Sequence, residues 1–214
     1  QVLYNSRQFS QKHTSTKIRK RMKKWIILLA FCGLSLHAFG QSEGLTDFNQ
    51  SRKQITKTGM LVLGSWAVGN MAVSGLMMTR TSGSQYYFHQ MNVFWNVVNL
   101  GLAGFGYYNA LQMDPAGVGV SSSVSEFYSL QKTLLFNAGL DIAYIAGGLY
   151  LLERAKNAEN KPERLRGFGR SVILQGAFLL AFDTVLFFVL DSRSSELLPL
   201  LNVSADGIGL RLRF

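Results

Sequence analysis

The sequence contains few of the residues that disulfide-stabilised and metal-binding domains require. Its 214 residues include one cysteine and three histidines, too few for a disulfide framework or for a multi-ligand zinc or iron–sulfur site. Charged residues make up only 16% of the chain, whereas 48% of the residues are hydrophobic. This balance excludes a disordered chain and a highly charged nucleic-acid-binding protein. We therefore predict no metal, no cofactor and no nucleic-acid partner.

Acidic residues are absent from the first 40 residues, which hold eight of the 22 lysines and arginines. Residues 41–214 carry 14 basic and 12 acidic side chains, so most of the net charge of +10 lies near the N-terminus. This distribution is typical of a leader sequence and not of a basic binding surface.

Residues 22–40 have the three parts of a secretory signal peptide. A positive n-region begins at Met22, an apolar h-region follows, and the small residues Ala38 and Gly40 provide an A-x-A-like cleavage site. We predict cleavage before Gln41. Residues 1–21 are interpreted as a non-native or disordered extension.

Long apolar segments follow, and proline interrupts none of them, because all three prolines lie in connections or in the tail. A helix needs about 20 apolar residues to cross the hydrocarbon core of a bilayer. Four segments satisfy this requirement. The predicted spans are residues 59–79, 92–111, 132–152 and 171–190.

A soluble four-helix bundle is the alternative fold. Such a bundle needs a polar face on every helix, whereas these segments carry almost no charge, and their only acids are Asp141 and Asp183. We therefore predict an all-α membrane protein, in which residues 59–190 form an antiparallel four-transmembrane-helix bundle.

Two less hydrophobic regions flank the bundle. In residues 41–58, Leu45, Phe48 and Ile55 lie near one face of a helix, which predicts either a short interfacial helix or a solvated leader. Residues 191–214 form the predicted extracytoplasmic tail. Its last eight residues alternate in polarity like the final strand of an outer-membrane β-barrel, but the continuous apolar segments argue against a barrel.

Basic residues are distributed unequally between the connections. Residues 153–170 contain six lysines and arginines, whereas residues 112–131 contain none. By the positive-inside rule, the first connection is cytoplasmic and both mature termini are extracytoplasmic. We expect a multi-pass protein of the bacterial inner (cytoplasmic) membrane. Arg52, Lys53 and Lys57, just before the first span, contradict this orientation.

Polar residues recur at helical spacing within the predicted spans. One stripe lies on the second span, another on the third, and the fourth span adds two polar residues. A polar group in lipid is costly without a partner, so these residues should face inward and meet. The candidate polar site comprises His89, Asn92, Asn96, Asn99, Asn137, Asp141, Tyr144, Gln175 and Asp183.

Three hypotheses explain this site. In the first, the polar residues are structural, because interhelical hydrogen bonds of about 0.6 kcal/mol each fix the helix register. In the second, His89, Asp141 and Asp183 form a binding or proton-transfer site, since ionisable groups at bilayer depth are candidates for function. In the third, a membrane enzyme uses His89 with an aspartate, although the sequence has no G-x-S-x-G, phosphate-loop or metalloprotease motif.

Small residues repeated every four positions predict close helix packing. Two such seams are Gly139/Ala143/Gly147 and Ser65/Gly69. The pair Gly167 and Gly169 predicts no feature.

Four strings resemble a bacterial family of small, uncharacterised multi-span membrane proteins. They are HQMN at 89–92, WNVVNL at 95–100, FNAGLD at 136–141 and QGAF at 175–178. The resemblance extends over about residues 59–190. It implies a multi-span fold and no assigned reaction.

We predict an integral membrane protein of unknown molecular function with a non-enzymatic structural or interaction role. Its expected partners are the lipid bilayer and either a second copy of the chain or another membrane helix. The alternative is a small transporter or ligand-binding bundle that uses Asp141, Asp183 and the face formed by Asn92, Asn96 and Asn99.

Overall fold

The computed structural model describes residues 43–197, and all regular structure within this range is helical. The predicted signal peptide, the extension before it and residues 198–214 of the tail lie outside the described residues. The all-α prediction with four helices is confirmed for the described part of the chain. The helices are α1 (Glu43–Met78), α2 (Gly83–Gln112), α3 (Val120–Arg154) and α4 (Pro162–Asp191).

Short connections make successive helices antiparallel, so α2 and α4 run parallel to each other. Gly167 near the start of α4 lies against Ser84 near the start of α2, and Ser171 one turn later bonds to Asn92. Helix α4 packs against each of the other three helices. Each of the other three helices is therefore anchored to the bundle through a contact with α4.

Three helical segments are long and apolar enough to cross a membrane. They are Glu43–Met78, Val120–Arg154 and Pro162–Leu197. Helix α2, although 30 residues long, is not among them. The predicted four spans are thus supported by hydropathy for three helices.

Several polar side chains lie inside the bundle beside a small apolar cluster, and many large apolar side chains are exposed on its surface. Phe94 and Phe105 on α2 are 61% and 68% exposed, and Phe136 on α3 is 67% exposed. Asn96 and Gln175, in contrast, are fully buried. A soluble protein has the opposite distribution, and an apolar exterior of this extent suits contact with lipid.

The predicted leader at residues 41–58 and the predicted span at 59–79 are not separate elements in the structure. Helix α1 runs without a break from Glu43 to Met78. Phe48 in its first turns is buried and packs against Phe127 of α3, with ring centroids 5.4 Å apart. The apolar stripe that suggested an interfacial helix instead finds partners within the protein.

Two glycines bring α3 and α4 into direct backbone contact. A Cβ atom added at Gly148 would lie 2.8 Å from the carbonyl oxygen of Gly169, and one added at Gly169 would lie 2.7 Å from that of Gly148. These backbones touch because neither residue has a side chain. Gly167, for which the sequence predicts no feature, likewise lies against the backbone of α2 at Ser84 and Phe88.

The predicted seam Gly139/Ala143/Gly147 does not make this contact. All three residues are exposed, and a Cβ atom at Gly139 or Gly147 would meet no atom of the described chain within 4 Å. Gly69 of the second predicted seam is also open. The prediction of tight packing through these seams is wrong within this chain, because the repeated small residues lie on outward helix faces.

We expect Gly148→Ala to lower the stability of the bundle by about 1–3 kcal/mol, since its methyl group must push α3 away from α4. Gly147→Ala is the matched control, because it makes the same chemical change one residue away in open space. The control should be neutral or stabilising by up to about 1 kcal/mol through helix propensity. Thermal unfolding of both variants in detergent checks this, and equal effects would contradict the assigned contact.

Candidate functional site

The asparagine stripe of α2 faces the interior. Asn92, Asn96 and Asn99 are buried, whereas Phe94 and Val98 on the opposite side of the same turns are exposed. Because α2 is apolar outside and polar inside, its amide groups are removed from the surface and must find partners within the protein.

The Asn92 side chain joins three helices. Its Oδ1 accepts hydrogen bonds from Ser171 Oγ (2.6 Å) and Gln175 Nε2 (3.0 Å), both on α4. Its Nδ2 donates to Ser74 Oγ of α1 at 3.3 Å. All four side chains are buried, so each bond replaces a partner that lipid cannot supply.

The network continues in both directions from Asn92. Trp66 of α1 donates from Nε1 to Gln175 Oε1 at 3.0 Å, and its ring stacks on Phe178 at 3.9 Å. On the other side, His89 Nδ1 lies 3.2 Å from Ser74 Oγ. The nitrogen and oxygen atoms of the Asn92 and Gln175 amides therefore all have partners, which is the arrangement expected of a structural network.

Asn96 and Asn99 make their hydrogen bonds along α2. Asn96 Nδ2 donates to the backbone oxygen of Asn92 at 2.8 Å, and Asn99 Nδ2 donates to Asn96 Oδ1 at 3.5 Å. These contacts reduce the cost of burying the amides. In the described residues they do not link α2 to another helix.

A separate pair of carboxyl groups lies between α3 and α4. Asp141 and Asp183 are 2% and 6% exposed, and their carboxyl groups lie within hydrogen-bonding reach of each other. Within residues 43–197, neither has a lysine or arginine within 4 Å.

A proton shared between these carboxyl groups would satisfy the contact. If both groups are ionised, neither can donate, and Oδ2 of Asp141 has no hydrogen-bond donor in the described part of the chain. One proton held between Asp141 and Asp183 supplies the donor and removes one of two like charges. The pair can thus bind a proton or accept hydrogen bonds from a small polar ligand.

The remaining predicted site residues stand apart. Tyr144 is partly exposed, and its ring packs edge-on against Trp95 at 4.9 Å. Asn137 is half-buried. Neither residue forms a hydrogen bond to the Asn92 network or to the carboxyl pair among residues 43–197. Of the predicted stripe on α3, only Asp141 reaches the interior.

Sequence reasoning missed three members of the network, namely Trp66, Ser74 and Ser171. Serine is common in apolar segments and gives a weak signal by itself, but Ser171 precedes Gln175 by one helical turn, which could have identified it. The more strongly polar residue of the same part of α1 is Asn70, but its Nδ2 donates to the backbone oxygen of Trp66 at 2.9 Å.

Two basic residues that contradict the predicted orientation are engaged within the protein. Arg52 is buried and donates to Glu126 Oε2 of α3 at 2.7 Å. Lys53 Nζ donates to the backbone oxygens of Leu111 (3.3 Å) and Met113 (2.8 Å), at the C-terminal end of α2. A cation at this position stabilises the negative end of the helix dipole.

A group of three or more histidine, cysteine, aspartate and glutamate side chains is the usual minimum for a protein metal site. No such group occurs among residues 43–197.

A family model described as a family of unknown function (DUF6992) matches residues 62–184. Since the match covers more than half of the chain, the chain belongs to this family. The resemblance to an uncharacterised family is thereby confirmed. No curated protein and no solved structure matches the chain. The matched segment contains both the Asn92 network and the carboxyl pair.

We expect Asn92→Leu to lower the free energy of unfolding by about 1–2 kcal/mol, because it leaves Ser171 and Gln175 without their acceptor. Asn109→Leu is the control, since Asn109 lies on the same helix but is exposed. Its effect should stay below about 0.5 kcal/mol. Denaturation in detergent measures both changes. A loss no larger for Asn92→Leu than for the control would contradict a stabilising network.

Proposed function

We propose that this member of the family is a four-span integral membrane protein with a non-enzymatic structural or interaction role. The observation that carries the proposal is the polarity of the bundle, which buries a hydrogen-bonded amide network and exposes many large apolar side chains. In this proposal the lipid bilayer is its first partner. A second copy of the chain or another membrane helix would contact the apolar outer faces.

The burial pattern of α2 supports the proposal that this helix crosses the membrane in addition to the three helices that hydropathy selects. Mean hydropathy counts every amide of the helix equally, although Asn92, Asn96 and Asn99 are hidden from lipid. The face that lipid would meet carries Phe94 and Phe105. A helix of 30 residues is about 45 Å long, enough to cross a bilayer beside α4.

The charge distribution supports a cytoplasmic location for the α3–α4 connection. The six basic residues there have no counterpart in the α2–α3 connection. Of the opposing charges on α1, Arg52 and Lys53 have the partners described above, and Lys57 Nζ lies 5.8 Å from the ring centroid of Tyr107. We propose a location in the bacterial inner membrane, with both mature termini extracytoplasmic.

A second candidate function is a small transporter or ligand-binding bundle, and the Asp141–Asp183 pair favours it. Helices α3 and α4 are already held together by glycine contacts, so the carboxyl pair is not needed to join them. Ionisable groups in the interior of membrane bundles commonly mark proton or substrate pathways.

We expect single cysteines at Ser82 and Glu159 to react from one side of the membrane and a cysteine at Ala116 to react from the other, after Cys32 is replaced by serine. Each position lies in a different connection, so the labels count the crossings. An impermeant maleimide applied to intact and lysed cells measures the side. If Ser82 and Ala116 react from the same side, α2 does not cross and the four-span proposal is wrong. If Glu159 reacts from outside, the proposed orientation is wrong.

We expect infrared spectra of the reconstituted protein to contain a protonated-carboxyl band that is lost in both Asp141→Asn and Asp183→Asn. In either variant the new amide can donate to the remaining carboxylate, which then needs no proton. Asp191→Asn is the control, because this residue lies at the end of the same helix and accepts a hydrogen bond from Gln131. A band that survives in both single variants would rule out proton sharing.

Proton flux into vesicles that contain the reconstituted protein tests the transporter candidate. The transporter candidate requires that flux exceed the rate in protein-free vesicles and fall in both aspartate variants. Flux equal to that of protein-free vesicles would overturn the proton-transport candidate.

A further inference from the structure

An open pocket of about 890 Å³ lies where α3 ends and α4 begins. Tyr150, Leu151, Leu165 and Phe168 give it an apolar wall. Cationic side chains line it as well, and these are Arg154, Lys161 and Arg164. The pocket therefore combines an apolar surface with a cluster of positively charged side chains.

The acids of this connection leave that charge largely uncompensated. Glu153 is paired with Lys156 at 2.6 Å, and Lys156 is not part of the pocket. The carboxylate of Glu163 lies against Gly83, the first residue of α2, where it complements the positive end of that helix. Glu159, the remaining acid, lines the pocket as Glu153 does, so three cations face two carboxylates, of which Glu153 is paired outside the pocket. None of the three lining cations has an acidic partner within 4 Å in the described part of the chain.

Local contacts position two of the three cations. Arg154 Nη1 lies 3.5 Å from the Tyr150 hydroxyl, and the Arg164 guanidinium lies 5.0 Å from the ring centroid of Phe168. Lys161 has a φ of 52°, unlike any other non-glycine residue in the described range. It precedes the first turn of α4, which no side chain caps, so the positive end of the helix dipole lies beside the pocket.

The surrounding aromatic residues indicate the depth of the pocket in a bilayer. Tyr87 at the start of α2 packs edge-on against Phe168 at 6.1 Å, and Tyr86 lies against Tyr87 at 5.5 Å. Tyr150 adds an exposed ring at the same end of the bundle. Tyrosines concentrate at the level of the lipid headgroups. The pocket thus lies at the level of the lipid headgroups, where the phosphodiester group of a phospholipid is found.

We propose that this pocket binds the phosphate of an anionic phospholipid headgroup, with the first acyl carbons against its apolar wall. Basic pockets between membrane helices on the cytoplasmic side bind headgroups of this type. The inference rests on the proposed membrane insertion, but it does not depend on the number of spans. A free phosphate would use the cations alone and would gain nothing from the wall.

Binding of phosphatidylglycerol to the full chain in neutral detergent tests the proposal. The pocket variant combines Arg154→Gln, Lys161→Asn and Arg164→Gln. The control variant combines Arg80→Gln, Arg166→Gln and Arg170→Gln, and it removes the same charge from the same end of the bundle without touching a residue of the pocket or the partner of one. We expect at least about a tenfold loss of affinity in the first variant and at most about threefold in the second. Equal losses would overturn the proposal, because diffuse charge would then explain the binding.

Two ligand controls distinguish the source of the phosphate. Phosphatidylcholine should bind the wild-type chain at least about tenfold more weakly than phosphatidylglycerol, and equal binding would overturn the role of headgroup charge. Inorganic phosphate should compete only weakly. If it binds as tightly as the lipid and is lost in the pocket variant, the site is one for free phosphate and the lipid assignment is wrong.

A single substitution tests the pocket even if the triple pocket variant fails to fold. Lys161→Asn removes one charge and inserts a residue that adopts positive φ readily, so its melting temperature should match that of wild type. Its affinity for phosphatidylglycerol should fall about three- to fivefold, and unchanged affinity would count against the pocket. Because binding is measured in detergent, failure here is distinct from failure of the topology labelling.

Discussion

The bundle depends on one constraint, which is that a polar group removed from water must find its partner inside the protein. The Asn92 amide meets this constraint by bonding to α1 and α4 at once. Lipid offers no hydrophobic drive that would press the helices together. Close approach must therefore come from shape, and Gly167 provides it one turn before Ser171 by allowing α4 to touch the backbone of α2. The short bond from Ser171 and the missing side chain at Gly167 are thus two parts of one contact.

Two faces of helix α4 make different kinds of contact. One face carries Gly167, Ser171 and Gln175 toward α2 and α1, and its hydrogen bonds join neutral groups. The other carries Gly176 and Asp183 toward α3. A Cβ atom at Gly176 would lie 3.1 Å from the backbone oxygen of Asp141, so packing of the helix backbones brings the two carboxyl groups together. Two carboxylates repel each other unless a proton lies between them. A contact with a purely structural role would be served better by amides, as on the first face.

The sequence was sufficient to predict the number of helices and the side of α2 that is buried, because both follow from long stretches of hydrophobic periodicity. It did not identify the contacts that depend on single residues. Gly147 and Gly148 are adjacent, yet they differ by about 100° around the helix, and only the second meets α4. Spacing alone cannot fix the rotation of a helix whose outward face is as apolar as its inward one. Ser74 and Ser171 were missed for a related reason, since each is a single weakly polar residue within an apolar run.

The weight of a basic residue in an orientation argument depends on its contacts in the fold, just as the exposure of an apolar residue does. Arg52 and Lys53 count against the predicted orientation when residues are tallied, although one is paired with Glu126 and the other binds the carbonyl end of α2. A partnered charge is more easily carried across a membrane with its helix than a free one. The five basic residues of the α3–α4 connection other than Lys156 have no acidic partner within 4 Å in residues 43–197. These free charges are the ones on which the proposed orientation rests, since the positive-inside rule counts basic residues in the connections.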